Sequence, residues 1–279
     1  MKASRLLAVL LATLVLAGCA NLQEVRDYAD ASARFSAYAE LTTRFRDTYQ
    51  REQPYLSGEA DRLARENDRR RQAAYADLLV IHQRVTLYMQ TLARLAGDDA
   101  FNLSPQIDSL SAGIKAHPEL GIAAQQVDAA ANLSQVISRW LTASYQQRAV
   151  RSMITEGDPH LQKMLAAMLT LIRYYRQTSE NEKNTVLGFF AVEIPFADPS
   201  QDRLLVALAR AQLQARTAEY NEVQHQYDAA EQGIRSMAEG HRQLLANLDR
   251  LSSAEARAMI SKFAQDIKTI RENLGAVRS

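Results

Sequence analysis

The chain has 279 residues, with 33 lysines and arginines against 32 aspartates and glutamates. That balance gives no electrostatic reason to expect a nucleic-acid partner. Only ten glycines, six prolines and one cysteine occur, and Ala, Leu, Gln, Arg and Glu dominate, so the composition forms helices and excludes an internal disulfide framework.

The first nineteen residues form a unit. Lys2 and Arg5 open it, Leu6–Leu16 reads LLAVLLATLVL without a charge, and Leu16-Ala17-Gly18-Cys19 closes it. A charged start, a short apolar run and a small-residue site are the parts of a secretory signal. As a helix the apolar run would span only about 16 Å, roughly half a bilayer core, which is too short for a transmembrane anchor.

Leu16-Ala17-Gly18-Cys19 resembles the lipobox of bacterial lipoproteins. The resemblance implies a diacylglyceryl group on the Cys19 sulfur, cleavage between Gly18 and Cys19, and acylation of the new amino group. It divides the chain into a signal peptide, 1–18, and a mature chain, 19–279. Two or three acyl chains, at about 0.8 kcal/mol per buried methylene, suffice for stable anchoring in membrane lipid. Ala20 stands where an aspartate would favour inner-membrane retention. By the sorting pattern of Gram-negative lipoproteins this implies the outer membrane, facing the periplasm.

The mature part reads as successive helices. Leu22, Val25, Tyr28, Phe35, Tyr38, Thr42, Phe45 and Tyr49 make one stripe and predict a helix from Leu22 to Tyr49, ended by Pro54 and Ser57-Gly58. A second helix is expected over Glu59–Ala96. Its start is heavily charged, with Arg69-Arg70-Arg71 read as a solvated face, and its later stripe holds Leu78, Ile81, Val85, Met89, Leu92 and Leu95, with His82 beside it. Gly97-Asp98-Asp99 ends it. Ser104-Pro105 caps a short helix to about Ala116, stopped by His117-Pro118.

Glu119–Glu156 predicts the next long helix, with Trp140 at a core position. Gly157-Asp158-Pro159 reads as a stop, cap and restart. Asp158 to about Thr185 is helical again, with Leu161, Leu165, Met168, Ile172 and Tyr175 as its stripe. Ser200–Leu251 is the longest helix. From Tyr220 its apolar positions alternate three and four apart, through Val223, Tyr227, Ala230, Ile234, Met237, His241 and Leu244 to Leu248 and Leu251, and Arg216 breaks the phase. That sustained repeat predicts coiled-coil packing, with Gly233 and Gly240 as tolerated weak points. Ser252-Ser253 turns the chain into a last helix, expected to fold back antiparallel.

The expected fold is therefore all-α, an elongated antiparallel bundle of long coiled-coil helices. It forms a single domain over 19–279, with sub-boundaries near 97–104 and 186–200.

No motif for chemistry stands out. The chain has no glycine-rich phosphate loop, no HExxH and no G-x-S-x-G. With Cys19 lipidated, no thiol remains for a metal or a nucleophile. Glu222-x-x-His225 has the spacing of one di-iron pair, but such sites need two pairs and further inward carboxylates. No catalytic residue, metal ligand or cofactor is assigned, and the chain reads as a non-enzyme.

One segment does not fit a surface helix. Val186–Phe196, VLGFFAVEIPF, carries a single charge, and Pro195 and Asp198-Pro199 predict an apolar turn or loop between two long helices. Burying its side chains is worth about 1.5–3 kcal/mol each. The expectation is that it plugs the end of the bundle. The alternative is an exposed tip, with Phe189, Phe190, Ile194 and Phe196 touching a partner or a membrane. A lipid anchor and a long rod suggest an envelope scaffold or adaptor with a protein partner. Two rivals remain: a membrane-active protein, since the layout resembles α-helical pore-forming toxins without any motif match, and a bundle that binds a small ligand between its helices.

Overall fold

The computed structural model describes residues 22–97, 110, 113–141, 143, 147–198 and 200–276. Cys19, Gly18 and the rest of the signal region lie outside the described residues. Among those residues the fold is all-α, and the only β-type pairing is an isolated bridge between His117 and Ile122.

The helices are α1 (Gln23–Ala33), α2 (Ala37–Arg46), α3 (Thr48–Glu52), α4 (Gly58–Leu95), α5 (Ala124–Trp140), α6 (Gln147–Phe196), α7 (Arg203–Ala246) and α8 (Ala254–Ala276). Short 3-10 turns follow α3 at Gln53–Tyr55, precede α5 at Pro118–Leu120 and follow α7 at Leu248–Arg250. At 1.5 Å per residue, α6 is about 75 Å long and α7 about 66 Å.

α6 and α7 form an antiparallel hairpin that organises the rest. Contacts step along it in opposite directions, from Arg151 with Asp249, through Asp158 with His241 and Arg176 with Asp228, to Glu182 with Tyr220. α1 and α2 run against α4, and α8 returns along α7 and also packs on α1. One apolar core draws on α1, α2 and α4 to α8, and continues across the sub-boundary expected near 97–104.

The stripe read from Tyr220 is the buried face of α7 through Val223, Tyr227, Ala230, Ile234, Met237, His241 and Leu244; the helix ends at Ala246, short of the expected Leu251, which is buried beyond the 3-10 turn. Gly233 and Gly240 are needed where they stand. A Cβ at Gly233 would overlap the Phe35 ring, and one at Gly240 the Tyr28 ring. The two aromatic rings, seven residues apart, sit over two glycines seven residues apart, which lets α1 approach the α7 backbone. Tyr28 completes the contact by donating a 2.5 Å hydrogen bond to the Met237 carbonyl.

Several expected boundaries move. The helix expected over Leu22–Tyr49 is three helices, interrupted at 34–36 and at Asp47. The apolar stripe keeps its phase across both interruptions, so periodicity carries no mark of them. The helix expected over Glu119–Glu156 is divided differently. α5 ends at Trp140, where Arg94 donates to the Leu141 carbonyl at 3.1 Å, and α6 begins at Gln147. The short helix expected over Ser104–Ala116 lies largely outside the described residues, and 113–116 are not helical.

Gly157-Asp158-Pro159 does not stop a helix; α6 runs straight through it, and also through Pro195. A proline leaves the carbonyl four residues earlier without its helical donor. Those carbonyls belong to Thr155 and Ala191, both exposed residues. Gly157 is fixed by packing, because a Cβ there would overlap the Tyr88 ring. Asp158 accepts from His241 Nδ1 at 2.8 Å, and Tyr88 Oη lies 2.8 Å from His241 Nε2. The residues that look like a stop signal thus supply a close crossing and a buried polar link.

Arg71 also departs from expectation. It is not part of a solvated face. It is buried, 5.9 Å from the Phe45 ring centroid and 3.7 Å from Asp68.

An apolar hairpin tip as candidate functional site

Segment 186–196 is not a turn or loop. It is the last three turns of α6 and pairs with the first turns of α7. The turn joining them contains Asp198, which accepts from the Ser200 backbone N–H at 2.8 Å and from its hydroxyl at 2.7 Å. Those hydrogen bonds hold the Asp198 carboxyl below its ordinary range.

A polar layer lies between this tip and the main core. Glu182 is fully buried and receives both arms of the Arg51 guanidinium, at 2.8 and 2.7 Å, and the Tyr220 hydroxyl at 3.0 Å. Arg44 sits 3.8 Å from Glu182 and 2.9 Å from Glu219, which also receives Arg216 at 2.8 Å. Burial alone would raise the Glu219 carboxyl, but the hydrogen bonds and charges of Arg216 and Arg44 outweigh it and hold it low. Burial and the neighbouring Glu182 charge push the Tyr220 phenol up, so it stays protonated and donates. Arg44, Arg51, Glu182 and Glu219 tie α2 and α3 to the hairpin with charges largely withdrawn from water.

Beyond this layer a second apolar cluster gathers Val186, Phe190 and Tyr220, with Leu187, Ile194 and Leu213 against it. Tyr55 closes it from the side, edge-on to Phe189 and Phe190 with ring centroids 5.4 Å away in each case. Further out there is little left to bury against. Phe196 is 84% exposed, Leu204 74%, Leu205 61%, Leu208 59% and Val192 57%. Large apolar groups are thus concentrated in contact with water at the end of the hairpin.

The residues singled out in the sequence therefore divide. Phe190 is 7% exposed and belongs to the packing of the tip, Ile194 is half-buried beneath the groove, and Phe189 and Phe196 face outward. The segment does not plug the bundle. It extends the hairpin past it. A groove of about 660 Å³ runs between α6 and α7 here, lined by Phe189, Phe196, Leu205 and Leu208, with Glu193 and Asp202 on its rim.

Leu204, Leu205 and Leu208 are not among the residues that the sequence singles out: the clear repeat begins at Tyr220, and the break at Arg216 separates it from Leu204-Leu205-x-x-Leu208. Arg216 marks the place where the α7 surface passes from the polar layer to the tip.

Among the described residues no group of three His, Cys, Asp or Glu side chains is placed to hold a metal ion. His225 is exposed and lies off the buried stripe. Comparison with known proteins gives no match: no family model, no curated protein and no solved structure is similar to this chain.

Proposed function

We propose that this chain is a lipid-anchored, non-enzymatic lipoprotein of the cell envelope, acting as an adaptor that holds a protein partner at the tip of its helical hairpin. The reading places it in the outer membrane facing the periplasm, fastened through acylated Cys19. The observation that carries the contact role is the exposed apolar tip, where Phe196 and Leu204 lie open at the end of the α6–α7 hairpin. Its position supports the same reading. Leu22 begins the described chain at the other end of the bundle, where Glu24 meets Arg257 of α8 and Tyr28 meets Met237 of α7. From Met237 to the start of α7 is roughly 50 Å along the helix. An anchor three residues before Leu22 therefore leaves the tip well away from the anchoring surface.

A membrane-inserting tip is the weaker reading. Glu193, Asp198 and Asp202 would each have to leave water to enter hydrocarbon. No helix among the described residues is long and apolar enough to cross a membrane.

The test has two arms. Radiolabelled palmitate is expected to enter the wild-type chain and not the Cys19→Ala variant; equal labelling of both removes the anchor. A photo-crosslinking amino acid at position 196 or 204, in intact cells, is expected to give a discrete adduct that a probe at exposed Arg69 does not. Failure at both tip positions removes the adaptor role.

A further inference from the structure

Taking the tip as a contact surface, as proposed above, we infer that its groove receives a short amphipathic helix carrying lysine or arginine beside its apolar face. Phe189, Glu193 and Phe196 on α6, and Leu205, Leu208 and Gln212 on α7, each follow the spacing of one helical face, and both stripes line the same groove. Each stripe is about 10 Å long, which matches about two turns of helix. The chain's own elements cover the hairpin up to Tyr55. There the backbone turns extended at Leu56, and the chain continues beside Asn181 and Thr185 of α6 without reaching the outer turns of the tip. An added helix continues that cover over the turns the chain leaves bare.

Charge selects the occupant. The charged residues on the groove are Glu193 and Asp202, both acidic, and neither has an ion-pair partner among the described residues. Arg203 and Arg210, seven apart on α7, do not line the groove, and Arg216 below it is held by Glu219 at 2.8 Å. A helix with basic flanks meets opposite charge on the rim. A second copy laid face to face would set Glu193 and Asp202 against their own equivalents, and an anionic lipid surface would meet the same repulsion.

The test uses the purified full chain in nanodiscs of zwitterionic phosphatidylcholine. It is titrated by fluorescence anisotropy with two labelled peptides of about fourteen residues, one Leu/Lys and one Leu/Glu, both with helical spacing of the leucines. The Leu/Lys peptide is expected to bind at least roughly tenfold more tightly, a difference of about 1.4 kcal/mol. Leu205→Asp with Leu208→Asp should abolish binding, and Glu193→Lys with Asp202→Lys should reverse the order of the peptides. All four positions are on the exposed tip, and circular dichroism confirms that the variants remain helical. Equal binding of the two peptides, no binding of either, or indifference to the leucine changes overturns the inference. So does a doubling of mass in sedimentation that the leucine changes remove, or flotation with phosphatidylglycerol vesicles that they abolish. Tip crosslinks in cells without peptide selectivity reject this inference and leave the adaptor role standing. Peptide selectivity without crosslinks does the reverse.

Discussion

Gly233 and Gly188 sit in the two long helices of one hairpin and differ in what faces them. A Cβ at Gly233 runs into the Phe35 ring, whereas nothing lies within 4 Å of one at Gly188. Gly233→Ala is therefore expected to destabilise the fold by overpacking, by about 1–3 kcal/mol. Gly188→Ala should stabilise it by roughly 0.5–1 kcal/mol, through helix propensity alone. Urea unfolding followed by circular dichroism measures both, and the opposite signs are the point of the comparison. His82 gives a second prediction. Stacked on Tyr38 with ring centroids 5.7 Å apart, its imidazole is lowered by burial to about 4. The unfolded chain takes up this proton near pH 6.5 and the folded chain resists it until about 4, so stability contributed by the neutral ring is lost as pH falls through that window. Wild type should lose on the order of 2 kcal/mol more than His82→Gln between pH 7 and 4.5, measured by urea unfolding at each pH. Equal losses would mean that the ring is protonated without penalty.

Between elements, the contact most exposed to a single change is the buried Glu182 with Arg51 and Arg44. Glu182→Leu leaves two guanidiniums without their shared carboxylate, and about 3–5 kcal/mol should be lost. Adding Arg51→Met should restore part of it, because the pair is then replaced by apolar contacts. A double-mutant cycle in urea reads the coupling, and simple additivity would show that the charges act separately. This cluster also shows where the sequence was legible and where it was not. Helix faces were readable, since burial follows spacing, and the run from Tyr220 to Leu251 is buried almost residue for residue. Breaks and crossings were not. Pro159 and Pro195 read as stops, yet both stand inside α6, where the residues whose carbonyls they orphan, Thr155 and Ala191, are exposed. Gly233 and Gly240, read as weak points, and Gly157, read as part of a stop, are the places where Phe35, Tyr28 and Tyr88 press against backbone, and the pressing ring comes from far along the chain. Of the site, Phe189 and Phe196 were legible from their apolar run. Leu204, Leu205 and Leu208 were not, because a helix start rich in leucine looks the same whether or not something covers it.

For the molecule as a whole, the tip lies outside the core that sets stability. Replacing Phe196 and Leu205 together by aspartate is expected to change the unfolding free energy by less than about 0.5 kcal/mol, the range of ordinary surface substitutions. The same double variant should lose tip crosslinks in cells. A large loss of stability instead would mean that these side chains are folded under in solution. α6 keeps its helical path through Pro159 and Pro195, so the tip is carried on the same helix that packs in the core. On the reading proposed above, the reach of the tip is then set by helix length, about 1.5 Å for each residue added to both arms of the hairpin.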